Sequence, residues 1–165
     1  MSQAASIAAG RVVALFIDPT AGLALVAEQI ALNAGVDLPA IAPESVIPQN
    51  APVALMEKSV AVKYPVVLVY ADRVQNLLTE KFRKFSGKVR AVAEVRASQD
   101  RIEGLEEKVR LYVDAVTQVL DANRGDWGQG MFFTGGYEVK FDPVQHGGRN
   151  LLQAAKVIFE VDLSN

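Results

Sequence analysis

The sequence predicts an α+β domain, an antiparallel or mixed sheet with helices packed on one face and long loops at its edges. Three observations predict it: a long amphipathic helix in the second half, strand-like runs on both sides of that helix, and an order (helix, long loop, strands, helix, strands) that lacks a regular βαβ alternation. The helix is expected from Ile102 to Asn123. Leu105, Val109, Tyr112, Val113, Val116, Val119 and Leu120 recur on one face, and Glu106, Glu107, Arg110, Asp114 and Gln118 fall on the other. Asp100, Glu103, Glu106 and Glu107 favour its amino-terminal dipole end, and Asn123 with Gly125 supplies the stop. One helix cannot bury such a stripe alone, so an apolar sheet must lie beneath it.

The preceding elements are read in order. Residues 3–17 are small and apolar, and Arg11 to Ile17 suits a strand or the front of a helix equally; residues 1–22 are therefore set apart as an arm of open conformation. The apolar start lacks a basic residue before it and carries Arg11 within it, which reads as mature chain rather than as a leader. Thr20 is expected to cap a helix with Leu23, Val26, Ala27, Ile30 and Ala31 on one stripe, ending at Asn33 and Gly35. Prolines 39, 43, 48, 52 and 65 break every period after it, so 36–63 is expected to be a long proline-rich loop with a short edge strand near Val53 to Val62.

Tyr64 to Tyr70 is a continuous β-branched and aromatic run, expected as a central strand buried on both faces. Lys88 to Arg96 alternates, with Val89, Ala91, Ala93 and Val95 turned one way and Arg90, Glu94 and Arg96 the other, towards water, Val92 being the exception on that wet face. After the helix come a glycine-rich loop from Arg124 to Gly136, a strand at Tyr137 to Phe141 and a turn at Gln145 to Arg149. A closing strand runs from Leu151 to Leu163, with Leu151, Ala155, Val157, Phe159, Val161 and Leu163 sharing a face.

Composition narrows function. The 165 residues make one domain, 1–165, with a net charge of −2, which favours neither a nucleic-acid coat nor a membrane-surface protein. Cysteine is absent, which excludes disulfides, thiolate metal sites and a cysteine nucleophile. No apolar run is long enough to span a bilayer. The single histidine, His146, lies in the turn-like context QHGGR, no serine has a nucleophile-elbow context, and carboxylates are scattered. No catalytic residue, metal ligand or cofactor-binding residue is assigned. The glycines at 125, 128, 130, 135 and 136 follow a helix and lead into a strand, the reverse of a phosphate-binding loop. Arg124-Gly125-Asp126 is too short a match to weigh.

Two clusters are candidate partner contacts. Lys81, Arg83, Lys84 and Lys88, interleaved with Phe82 and Phe85, form a local basic patch suited to an acidic partner surface or a phosphate backbone; a hairpin edge whose lysines discourage strand addition is the competing reading. Trp127, Met131, Phe132 and Phe133 sit in the glycine-rich loop, and either meet a partner or fold back onto the core.

The ordered set of an amino-terminal helix, YPVVLVY, KVRAVAEVR, GLEEKVRLYVDAVTQVL and AAKVIFEVDL resembles the tail terminator proteins of long-tailed bacteriophages, phage lambda's among them, from about Leu23 onward. The resemblance implies a non-enzymatic virion subunit at the head-proximal end of the tail, formed in the host cytoplasm. It implies a homo-oligomer, a hexameric ring that caps the tail tube protein, ends tube polymerisation and receives the head through a head-completion or stopper protein. DNA would pass the lumen only as cargo, and no membrane or cofactor is involved. The neighbouring reading is a stopper or other neck connector, and a more distant one is a small ligand-binding domain or enzyme using the Gly125 to Gly136 loop with His146 as base.

Overall fold

A computed structural model describes residues 3–59 and 62–165. Among them are four α-helices and a curled mixed sheet of eight strands, so the expected α+β class is found. Its centre is a pair of long antiparallel strands, β3 (Ser86–Gln99) and β8 (Asn150–Ser164), in unbroken register from Ser86 opposite Ser164 to Gln99 opposite Leu151. The sheet order is β1 (Val46–Ile47), β2 (Val66–Asn76), β3, β8, β5 (Met131–Phe133) and β4 (Gly125–Gly128); β6 (Tyr137–Phe141) and β7 (Gln145–Gly147) pair farther along β8. Only β1 with β2 is parallel.

Helix α4 (Leu105–Ala122) is the helix expected from Ile102 to Asn123, begun and ended slightly inside those bounds. All seven stripe residues and Ala115 are buried against β3 and β8, and Glu106 and Glu107 occupy the first turn. The Asn123 side-chain amide donates to the Val119 carbonyl at 2.7 Å, closing the last turn. The Tyr112 hydroxyl donates to the Pro39 carbonyl at 2.5 Å, fastening the segment after the second helix to α4.

Residues assigned to an open arm form α1 (Ala4–Phe16), because Ala4, Ala8, Val12 and Phe16, one turn apart, all find the core; residues 1 and 2 lie outside the described residues. Helix α2 (Leu23–Ala34) ends at Gly35 with φ +67° as expected, but Thr20 does not cap it. The Thr20 amide and hydroxyl both donate to Asp18 Oδ1 at 2.8 Å, an Asx-type turn, and Gly22 takes the cap position. A Cβ at Gly22 would lie 2.4 Å from the Asp18 carbonyl oxygen, so only glycine lets the turn fold so tightly.

The 36–63 loop is partly structured. It contains a 3-10 turn at Pro43–Ser45, β1, and in place of the expected edge strand a short helix α3 (Val53–Ser59); positions 60 and 61 of that expected strand lie outside the described residues. Strand β2 is buried on both faces from Val66 to Val69, but it stands next to the β1 edge rather than at the centre, which belongs to the longer β3 and β8.

The expectation of one wet face on Lys88 to Arg96 is also corrected. Val92, Glu94 and Arg96 are buried, because residues 49–56 fold over that end of the sheet opposite α1 and α4. Val66, Leu68, Val92, Leu152 and Ala154 form the dry floor there. Arg90 and Lys88, nearer the start of β3, stay at the surface and pair with Asp72 and Glu160.

The stretch expected as a glycine-rich loop contains a hairpin of β4 and β5, Gly125 to Phe133. Trp127, Met131 and Phe133 point into the core, where the Trp127 ring lies 5.3 Å from Phe133 and 6.5 Å from Phe159, and the Trp127 indole N–H donates to the Asn123 carbonyl at 2.6 Å. Folding back removes the cost of leaving such large side chains in water. Phe132, between Met131 and Phe133 on the strand, necessarily points outward and is 48% exposed. Trp127→Ala should therefore destabilise the fold by about 3–5 kcal/mol in chemical denaturation, whereas Phe132→Ala should stay within about 0.5 kcal/mol.

Candidate interaction surface

The end of the sheet formed by the β2–β3 connection brings most of the first predicted cluster together. Residues 77–85 join the strands, and their conformation is set from three directions. Asn76 is the hub: its Oδ1 accepts from the Leu78 and Ser86 amides at 3.2 and 3.1 Å, and its Nδ2 donates to the Lys84 carbonyl at 3.1 Å. The Thr79 and Ser86 hydroxyls share a 2.5 Å hydrogen bond, and the Glu80 amide donates to the Ser86 Oγ at 3.2 Å. From the far side, the Lys84 and Phe85 amides donate to the Asn165 carbonyl at 3.0 and 3.1 Å, the Asn165 amide donates to the Phe85 carbonyl at 2.9 Å, and Ser164 Oγ donates to Glu80 Oε2 at 2.7 Å.

The tip is thus rigidly tied, and its side chains divide. Phe85 is buried, anchoring the base. Phe82 is fully exposed and held at φ +67°, a backbone region that bulky residues rarely adopt, and Leu77 and Leu78 are 46% and 63% exposed beside it. Lys81 and Lys84 have no ionic partner among the described residues, Arg83 is 3.7 Å from Glu80, and Lys88 pairs with Glu160 at 3.3 Å. The β4–β5 turn is drawn against the same end: the Ser164 amide donates to the Gly130 carbonyl at 3.0 Å, so close that a Cβ on Gly130 would lie 1.9 Å from the Ser164 carbonyl oxygen. Leu77 and Phe132 consequently line one cleft. Of the second cluster only Phe132 reaches this surface, Trp127, Met131 and Phe133 being core. Phe82 thus stands exposed on a tied loop between Lys81 and the pair Arg83 and Lys84, with Glu80 the one carboxylate of the segment and already beside Arg83, an excess of positive charge that suits an acidic surface with an apolar hollow.

The other candidate of the sequence, His146, is exposed on β7 opposite Leu151. It borders a hollow of about 860 Å³ with Val53, Tyr64, Ser98 and Arg149, to which no residue of the 125–136 segment contributes. The nearby Ser98 hydroxyl donates to the Leu151 carbonyl at 2.9 Å. The glycine-rich stretch and His146 therefore do not form one site. Among the described residues no three His, Asp or Glu side chains converge as a metal-binding group, and no helix is long and apolar enough to cross a membrane.

A buried polar cluster was missed in the sequence. Glu94 accepts from Arg96, which also donates to the Ala51 carbonyl at 2.5 Å; Lys156 Nζ lies 3.6 Å from the same carboxylate, and the Tyr70 hydroxyl donates to it at 3.4 Å. The Glu94 and Arg96 side chains are each 6% exposed. Acid and base two residues apart on one strand face were the only available signal, and it looked like a solvated face. Burial and then the adjacent Glu94 carboxylate push the Tyr70 hydroxyl up to about 12. On the open part of the same face Arg90 grips Asp72 with two hydrogen bonds of 2.8 Å, and that hydrogen bonding holds the Asp72 carboxyl below its usual range.

No protein-family model matches the chain, and no curated protein matches it.

Two outcomes test this electrostatic description. Glu94→Leu alone should cost about 3–5 kcal/mol by leaving the buried Arg96 without its carboxylate, Arg96→Met alone should cost less because Lys156 and Tyr70 still meet Glu94, and the double variant should lose clearly less than the two singles together. Because Tyr70 holds its proton more tightly folded than unfolded, its contribution to stability is complete below pH ~10 and is lost as pH rises towards about 12. Denaturation midpoints over that range should fall more steeply for the natural chain than for Tyr70→Phe.

Proposed function

We propose that this protein is a structural subunit of a long phage tail, assembling as a ring that caps the tail tube, ends its polymerisation and offers the surface on which the head docks. The observation that carries the reading is the β2–β3 tip. A stiff loop that holds Phe82, Leu77 and Leu78 in water among cations has little use in an isolated molecule and a clear one in an assembly. The order of elements supports it as well: α2, β2, β3, α4 and β8 are the elements on which the resemblance to tail terminators rests. Such a protein works by occupying a surface, and repetition around a ring multiplies contacts that are individually weak.

The test is native mass, measured on the purified protein alone and after mixing with tail-tube subunits. A hexamer, or a monomer that becomes a ring only on the tube, is expected. A ring that binds portal-proximal subunits and ignores the tube would move the protein to a stopper position, and a monomer indifferent to both would overturn the proposal.

A further inference from the structure

The two most exposed large apolar side chains among the described residues are Phe82, at the basic tip, and Leu32, at 75% exposure on the outer side of α2. Leu32 borders a groove of about 500 Å³ between α2 and residues 36–40, in which Leu25, Val36 and Leu38 supply apolar walls and Glu28 and Asp37 are the only charged residues. The clefts beside Met56, beneath Phe132 and along β6 mix the signs, Lys63 with Glu44, Lys88 with Glu80 and Asp162, and Arg90 with Glu138 and Glu160, and the one beside His146 contains Arg149. An exposed aromatic flanked in the chain by Lys81, Arg83 and Lys84, with Glu80 the one carboxylate beside them, and an apolar groove whose charged lining is Glu28 and Asp37 are thus present on different elements of one chain.

We propose that the Phe82 tip of one copy seats in the α2 groove of a second copy, with Lys81, Arg83 and Lys84 facing Glu28 and Asp37. The inference rests on the ring reading above and specifies its subunit contact. Tip and groove are different patches, so the contact is head-to-tail: every copy gives a tip and receives one, the type of interface that closes into a ring when the rotation allows. Phe82, with Leu78 beside it, supplies most of the affinity, and the charges set register and speed of encounter. The bonds from Asn76, Ser86 and Asn165 hold the tip in place before it meets a partner, which reduces the ordering cost of association.

The absence of cysteine makes the test direct. Lys81→Cys and Leu32→Cys in one chain, both at exposed positions and both leaving Phe82 in place, should give on oxidation a ladder of disulfide-linked multimers larger than dimers, which neither single variant gives. Phe82→Ala should weaken self-association about tenfold or more. Lys84→Glu and Glu28→Lys should each weaken it about fivefold, and the two together should restore it. A ring of unchanged native mass in all these variants, with no ladder, overturns this contact and leaves the ring reading standing. A protein that joins the tail tube as a monomer without a ladder does the same, whereas a monomer that neither ladders nor binds the tube overturns both.

Discussion

The antiparallel pairing of β3 with β8 is the constraint on which the other elements depend. Its unbroken register aligns Ala91, Ala93 and Val95 with Phe159, Val157 and Ala155, producing a continuous apolar strip along one face. Helix α4 has its complete dry stripe because that strip is there to receive it, α1 covers the strip's extension onto β2, and α2 packs on α4 in turn. The free edge of β8 is closed by three short strands in succession, β5, β6 and β7, so the longest strand of the sheet is protected along its length without one equally long partner. A one-residue slip in the central pair would turn every one of these side chains to the wrong face.

What could be read in the sequence followed from periodicity. The α4 stripe, the β8 face and the Gly35 stop all rest on local patterns whose meaning does not depend on distant residues. Failures occurred where a distant segment decided the outcome. Strand β3 alternates as a half-wet strand should, yet Glu94 and Arg96 are buried because residues 49–56 return across the sheet, and nothing near Glu94 announces that. Trp127, Met131 and Phe133 could from the sequence either meet a partner or fold back; the hairpin buries all three, setting the Trp127 and Phe133 rings against Phe159 and Met131 opposite Leu163. In the candidate surface the cations of Lys81 to Lys88 were legible, whereas Phe82 and Phe85, similar in local sequence, are separated by the Asn165 clasp into an exposed knob and a buried anchor. The α2 groove had no sequence signal, since its walls come from a helix face and an extended segment joined only in space.

The two faces of the sheet are stabilised by different physics. Beneath α1 and α4 the contact is apolar and non-directional, which tolerates conservative change of side-chain volume. Under residues 49–56 it is held by a carboxylate shared among Arg96, Lys156 and Tyr70, in which the buried Glu94 and Arg96 each offset the cost of burying the other's charge. The first face gives bulk stability. The second fixes where the proline-rich segment lies, and with it the position of the β1 edge.

The clasp of Asn165 on residues 84 and 85 also imposes an order in time. The β2–β3 loop leaves the ribosome long before residues 163–165, and until they arrive Phe85 lacks the carbonyl and amide that anchor it and β3 lacks β8. A nascent chain therefore carries the exposed aromatic of its tip without the support that holds it in place. The tip therefore takes its final form only once residues 163–165 have been made, although it is itself among the earlier segments to emerge.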